Sequence, residues 1–425
     1  MEILQKNEKI KFNFNKNNFI NLKEIFNNRY LSRFAIIDQK DNYIECEYAE
    51  IMNIKNYKDF YKNIFDFNYP KFRDETTFNV VQIIPTGIKA DVGGNSGDGN
   101  TSAKLLAGVA DTLITHPNVV NAADINEMTS NTLYVEGSVL NRFMMGTIGL
   151  SPVRKNRILL IYDTNSNYYH NFRPINMASA ARVTLGVDID VLEIKDAPYY
   201  QIFYNELGMA VGKINNLEKL TDIIEKHKDQ YDSIILHSLV DGDTQELLDD
   251  YYDNDKNLAN PWGTIEAMLT HTVSNIFDVP CAHAPVLEKL FLEYPFEIVD
   301  PRKTPEILST TELFCTIKGM YLTPKIVENT NQSGIITNRN ISALVTPDRC
   351  IGLPLIAALE QNIPVVAVDD NTNLMKNDLS SLPWNHNQFF KAKNYLEAAG
   401  ILVALKNGIN PNTITRPIGP TKIIK

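Results

Sequence analysis

The chain is poor in the features that identify a protein at a glance. Its 425 residues include only four cysteines, Cys46, Cys281, Cys315 and Cys350, with no CxxC pair, which excludes a disulfide framework and a thiolate zinc site but leaves room for single reactive thiols. There is no long Lys/Arg run and the formal net charge is −10, so no nucleic-acid partner is expected, since a phosphate backbone demands clustered positive charge. The amino terminus, MEILQKNEKIKFNFNK, lacks the apolar centre of a secretory signal, and no run of roughly 18 apolar residues is long enough to span a bilayer. A cytoplasmic protein with no membrane partner is therefore the expectation.

What is present reads as a folded protein. Apolar residues make up 44% and charged residues 22%, close to the average of soluble globular chains, and the length exceeds one compact domain. Residues 1–75 are rich in Asn, Lys, Phe and Tyr and poor in Gly, and read as a small appended α+β domain without recognisable chemistry. Two α/β lobes are expected after it, 76–235 and 236–425.

From Phe78 onward, apolar runs are followed by glycine or polar residues and then by a helical period, the pattern of strands alternating with helices. The predicted strands are FNVVQII, TLYV, RILLIY, VDIDVLEI, SIILHS, SALVT and VVAV. Several are apolar throughout, as in a largely parallel sheet with helices on both faces, so the predicted fold is a layered, Rossmann-like α/β architecture. Predicted helices cover Thr101–Leu113, Ile175–Leu185, Leu217–His227, Thr264–Ile276, Leu353–Gln361 and Ala392–Leu405. The acidic run Gln245–Asp255 lacks the ligand spacing of a calcium loop and reads as a solvated surface element.

Five constellations offer chemistry. A loop after FNVVQII holds Gly87, Gly93, Gly94, Gly97 and Gly99 with Asp91, Asn95, Ser96 and Asp98, and can cradle a polar or anionic ligand at a helix N-terminus; it is neither a Walker loop nor GxGxxG, and a long turn is the alternative. THPNVVNAAD sets His116, the first choice as acid/base, beside Asn118 and Asn121, which orient substrate, and Asp124. YVEGSVLNRF puts Glu136 at the end of a strand, where ligands collect in open α/β sheets, and Asn141 and Arg142 on the next helix. Arg142 is either a clamp for a carboxylate or phosphate or an ordinary ion pair, and the same alternatives hold for Asn171, Arg173, Asn176 and Arg182. HTVSNIFDVPCAHAP brings His271, Cys281 and His283 together, a set suited to a thiolate beside an imidazole; two soft ligands do not make a metal site, and none is expected. Finally, SALVTPDRCIGLPLIAALEQNIPVVAVDDN reads as a βαβ unit. Its loop, with Cys350 and Gly352, can face a phosphate, and Asp369, Asp370 and Asn371 end its second strand, where ribose hydroxyls are received.

The phrases IPTGIKADVGGNSGD, LLAGVADTLITHPNVVNAAD, LYVEGSVLNRF, PCAHAP and VTPDRCIGLPLIAALEQNIPVVAVDDN resemble the bacterial and plant family known as domain of unknown function 3326, over about residues 78–409. In this chain PDRCIGLP is the less glycine-rich version of that family's closing loop. A fainter similarity, in the order of elements and in RPINMASAAR, is to the NAD-dependent ornithine cyclodeaminase domain of the arginine dihydrolase group; it implies amino-acid chemistry with a nicotinamide cofactor.

The sequence thus leads to an enzyme acting on a small polar metabolite, an amino acid among the candidates, assisted by NAD or another nucleotide. In that expectation His116 moves a proton, with Asp124, Glu136, Cys281 and His283 as further catalytic candidates. Asn95, Ser96, Asp98, Asn118, Asn121, Arg142, Arg173 and Asn176 bind substrate, while Gly93, Gly94, Gly97, Cys350, Gly352, Asp369 and Asn371 hold the cofactor. Two alternatives stand beside it: a cofactor-independent hydrolase or transferase using Cys281 and His283, and a non-catalytic metabolite-sensing or protein-interaction module. A homo-oligomer is compatible with each.

Overall fold

The computed structural model describes residues 1–15, 17–95, 97–120, 122–163, 168–240, 250–253, 258–286, 312–421 and 423. Ser96, Asn121 and most of the acidic run 245–255 lie outside them, as do the side chains of Asp124 and Asn171.

In chain order the strands are β1 (Glu2–Lys11), β2 (Leu31–Lys40), β3 (Tyr43–Met52), β4 (Asn79–Gln82), β5 (Thr112–Thr115), β6 (Thr132–Tyr134), β7 (Gly149–Ser151), β8 (Arg157–Asp163), β9 (Asp188–Ile194), β10 (Tyr199–Tyr204), β11 (Ala210–Asn215), β12 (Ser233–His237), β13 (Cys281–His283), β14 (Lys325–Val327), β15 (Ile341–Pro347), β16 (Ile351–Gly352), β17 (Val365–Val368) and β18 (Phe389–Ala392). The helices are α1 (Asn18–Ile25), α2 (Asn100–Ala107), α3 (Gly137–Met144), α4 (Tyr168–Leu185), α5 (Glu218–His227), α6 (Trp262–Phe277), α7 (Glu312–Leu322), α8 (Leu353–Gln361) and α9 (Tyr395–Lys406).

The fold is a mixed α/β one with several sheets. A six-stranded sheet in the order β18-β17-β15-β4-β5-β6 is parallel throughout, and a four-stranded sheet, β13-β12-β8-β9, is parallel as well. A third sheet, β10-β11-β1-β3-β2-β16, is antiparallel, and β7 with β14 forms a short ribbon.

Strands β4 and β17 are buried at every residue, which explains why their sequences do not alternate. Val80, Leu113, Val345 and Val366 enter one core with Leu106 of α2 and Leu402 of α9. Their neighbours Val81, Ile114, Leu344 and Val365 enter another core with Phe143 of α3 and Ile356 of α8. The period of two along each strand divides the apolar residues between these two cores.

The sheets cut across divisions drawn at residues 75 and 235. The antiparallel sheet unites strands from residues 2–52 with β10, β11 and β16, and the six-stranded sheet joins residues 79–134 to 341–392. The composition break near residue 75 marks a change from antiparallel to parallel strands rather than the edge of an isolated sheet.

Two predicted helices were too long. LLAGVADTLI is largely apolar, so the start of β5 was read as the tail of Thr101–Leu113; in the structure α2 stops at Ala107, and the Asp111 N–H donates to the Phe78 carbonyl (2.8 Å) as the chain turns into β5. Likewise Ala392 belongs to β18. Helix α9 begins after Asn394, whose side chain accepts from the Glu397 N–H (3.0 Å) while the Glu397 carboxylate accepts from the Lys393 N–H (2.6 Å).

Candidate active site

Strand β4 comes first in the six-stranded sheet, and the chain builds outward from it on both sides, to β5 and β6 on one and to β15, β17 and β18 on the other. Connections therefore diverge beyond the carboxyl ends of β4 and β15, which leaves a crevice there. A cavity of about 170 Å³ opens at that place. Its walls include Pro85, Thr86 and Ile88 after β4, His116 and Asn118 after β5, Glu136 after β6, and Thr346 and Cys350 to Leu355 around and beyond the end of β15. Helix α6, strand β13 and Arg33 of β2 close it.

Helix α6 reaches the cavity through Gly263, Glu266, Ala267, Thr270 and His271. These positions recur at i, i+3, i+4, i+7 and i+8 and so lie on one face. Two glycines allow the close packing. A Cβ on Gly263 would lie 2.0 Å from Thr86 Oγ1, and one on Gly137 would lie 2.4 Å from His271 Nε2.

Two carboxylates meet histidines here. Glu136 caps α3: its Oε2 accepts from the backbone N–H groups of Ser138 (3.0 Å) and Val139 (3.1 Å) and from Ser138 Oγ (2.6 Å), which satisfies donors the helix leaves open. Its other oxygen, Oε1, is 3.3 Å from His271 Nε2. Burial holds His271 below the ordinary imidazole range despite the pull of Glu136. A neutral His271 can donate from Nε2 to that carboxylate.

The second pair is Glu266 and His283, with Oε1 to Nδ1 at 3.0 Å. His283 Nε2 is 2.8 Å from Ser238 Oγ, which is 3.0 Å from the Tyr200 hydroxyl. One polarity satisfies every group: Tyr200 donates to Ser238, Ser238 to His283 Nε2, and His283 Nδ1 to Glu266. Glu266 and His283 are both among the cavity walls; the Glu266 side chain is 20% exposed and that of His283 1%.

His116 lines the same cavity, but its chemistry differs from the expected acid/base. The Ile84 N–H donates to its Nε2 (3.1 Å), which occupies the lone pair and leaves the proton on Nδ1. Burial, with the nearby His271, pushes its pKa down to about 3. At neutral pH His116 is thus a fixed, uncharged donor. Asn118 donates from Nδ2 to the Ile84 carbonyl (2.7 Å), and this holds the two loops together.

Cys281 and Cys350 also line the cavity, and burial raises both thiols above their ordinary range, so neither is a ready thiolate. The Cys281 sulfur contacts the Ala282 carbonyl (3.9 Å), while His283 is engaged by Glu266 and Ser238. Gly352 stands at the cavity wall as the N-cap of α8.

The remaining candidates are not among the cavity walls. Asp98 Oδ1 accepts from the Gly93 N–H (2.8 Å) and closes the glycine loop on itself. Gly93 and Gly97 have φ of +75° and +94°, and a Cβ on Gly94 would strike the Ala90 carbonyl at 1.9 Å, so packing and turn geometry account for these glycines. Asn95 accepts from the Tyr251 hydroxyl (2.6 Å). Arg142 pairs with Asp278 (2.6 Å), tying α3 to the end of α6. Arg173 and Asn176 lie on α4, with Asn176 exposed. Asp369 pairs with Lys391 (3.0 Å), and Asn371 bonds the backbone of Val92 on both sides (2.9 and 3.0 Å) and Tyr395 (2.9 Å).

Glu266, Thr270, Thr346, Ser238 and Arg33 were missed. For the α6 pair the signal was present: a stripe of small and polar residues along a helix that is otherwise apolar and buried. Arg33, whose guanidinium bonds Glu47 (2.6 Å) and the Thr86 carbonyl (3.3 Å), carried no such sign. Among the described residues no group of three or more His, Cys, Asp or Glu is placed to hold a metal, and no helix is long and apolar enough to cross a membrane.

Residues 79–415 match the family described as protein of unknown function DUF3326, and the chain belongs to that family. It is 33% identical over 343 residues to an uncharacterised lipoprotein of Synechococcus sp., covering 79% of this chain and 92% of that protein. No solved structure matches. Neither the family match nor this relative shows the fainter likeness to the ornithine cyclodeaminase domain.

Proposed function

We propose that this member of the family is an enzyme that transforms a small polar metabolite by proton transfer, with Glu266 and Glu136 as the acid–base groups. The observation that carries the reading is the convergence of two Glu–His pairs, from α6 with β13 and from α3 with α6, on one small cavity. Paired carboxylates in a cleft with apolar walls can divide the roles of proton acceptor and proton donor, and a histidine behind each fixes its orientation. His116 then acts as a neutral donor from Nδ1, and Asn118 and Asn141 supply amides for recognition.

Size limits the substrate. A cavity of about 170 Å³ is comparable to the roughly 150 Å³ that holds a benzene ring, so it encloses a metabolite of that order and would leave most of a dinucleotide outside. NAD assistance is therefore left out of this reading. A Rossmann-like layering is kept as part of it, because a crevice where connections diverge is where such sheets bind ligands.

A second reading is favoured by the Ser238–His283–Glu266 spacing, which is that of a nucleophilic triad. It carries forward the cofactor-independent hydrolase with Ser238 in place of Cys281. Against it, Ser238 is buried and is not among the cavity walls. Ser238→Ala separates the two. Relay loss should lower turnover by about tenfold or less, whereas loss of a nucleophile should remove it down to a residual level. Incubating the protein with a mixture of small polar metabolites and following depletion by mass spectrometry supplies the assay.

A further inference from the structure

Helix α8 begins at the cavity wall with no side-chain cap on its first turn. Pro354 in that turn has no N–H to offer, and Leu353 and Leu355 on either side of it are both among the wall residues. Beside them stands Thr346, 3% exposed, whose hydroxyl has no hydrogen-bond partner among the described residues and whose side chain lines the same cavity. That leaves the hydroxyl free to bond a ligand in the cavity, as donor or as acceptor. Gly352 adds a third observation. Its backbone is extended, with φ of −124°, so nothing in its conformation requires glycine, and a Cβ there would meet only Pro354 Cδ at 3.7 Å. The space in front of it is open.

We infer that the Thr346 hydroxyl and the first turn of α8 form a subsite for a carboxylate, which makes the substrate a small carboxylic acid. The inference deepens the proposed function and rests on its premise that the cavity is where substrate binds. A monoanion suits the site better than phosphate. The helix end offers partial positive charge and few donors, the Arg33 guanidinium is already paired with Glu47, and Glu136 and Glu266 share the cavity, so a second negative charge would go uncompensated. An acid bound there by its carboxylate presents the rest of its few atoms to the two Glu–His pairs.

The test is calorimetric titration of the intact protein with propionate, propionamide and inorganic phosphate, repeated on Thr346→Val, Thr346→Ser and Gly352→Ala. Propionate should bind and propionamide should not. Thr346→Val should weaken propionate by roughly tenfold, the scale of one hydrogen bond to a charged group. Thr346→Ser should keep affinity within about twofold of the parent on the same reasoning, and Gly352→Ala should weaken it by obstructing the approach. Failure of propionate to bind, equal binding of propionamide, preference for phosphate or an unchanged Kd in folded Thr346→Val would each overturn the subsite. Binding as expected without turnover of any carboxylic acid would uphold the subsite and remove the enzyme reading. Turnover that depends on Glu266 with an unchanged Thr346→Val would do the reverse.

Discussion

His283 stands with Nδ1 3.0 Å from Glu266 Oε1, and the carboxylate is the more exposed member of the pair. In the proposed reaction the histidine orients the acid. His283→Asn, which can keep one amide donor toward Glu266, should retain more activity than His283→Ala. Equal losses in the metabolite-depletion assay would contradict an orienting role.

His116 supplies a pH dependence of stability. Its folded pKa, near 3, lies below the unfolded value near 6.5, so the unfolded chain binds the extra proton. Stability is then complete above about pH 6.5 and is lost as pH falls toward 3. Between pH 7 and pH 5 the loss from this one group should be about 2 kcal/mol. Denaturant titrations at the two pH values should show that difference shrinking in His116→Gln. The buried His271, also shifted downward, adds a contribution of the same sign.

Gly137→Ala places a methyl group 2.4 Å from His271 Nε2 and must push the imidazole from Glu136. Turnover should fall along with about 1–3 kcal/mol of stability, the usual cost of overpacking. Thermal unfolding and the depletion assay measure the two effects, and a variant with parental values in both would refute the close packing of α3 on α6.

The buried thiols should be inert. Iodoacetamide at pH 7.5 should leave Cys281 and Cys350 unmodified in the native protein and label them after unfolding, because burial keeps both protonated. Rapid labelling of native Cys281, read by peptide mass spectrometry, would restore the thiolate reading.

Arg142 ties α3 to the end of α6 through Asp278 and Ser274. Arg142→Met should cost on the order of 1–3 kcal/mol through loss of its bonds to Asp278 and Ser274 and leave KM unchanged. A raised KM at unaltered stability would return it to the site.

Much of this was legible in the residue pattern, and the failures have physical causes. The buried parallel strands announced themselves because burial on both faces removes alternation; Glu136 was singled out at a strand end, His116 for the amides and carboxylate beside it, and His283 for its spacing to Cys281. Glu266 and Thr270 escaped because Thr264–Ile276 was read only as a helix, and nothing local tells which of its polar residues face a cavity. The glycine loop misled in the other direction: its glycines relieve contacts with Ala90, Ile84 and Val119, a purpose that leaves the same mark in the sequence as phosphate binding. Arg33 was hidden by distance along the chain, since only the fold carries β2 to the ends of β4 and β15.

The central claim is that Glu266 and Glu136 do the chemistry. The most direct measurement compares the native protein with Glu266→Gln and Glu136→Gln in the depletion assay on a mixture of small carboxylic acids. The account expects one acid to be consumed by the native protein and its rate to fall by about 100-fold or more in each folded variant, the scale of a general acid or base. Consumption at the native rate in both variants would contradict it.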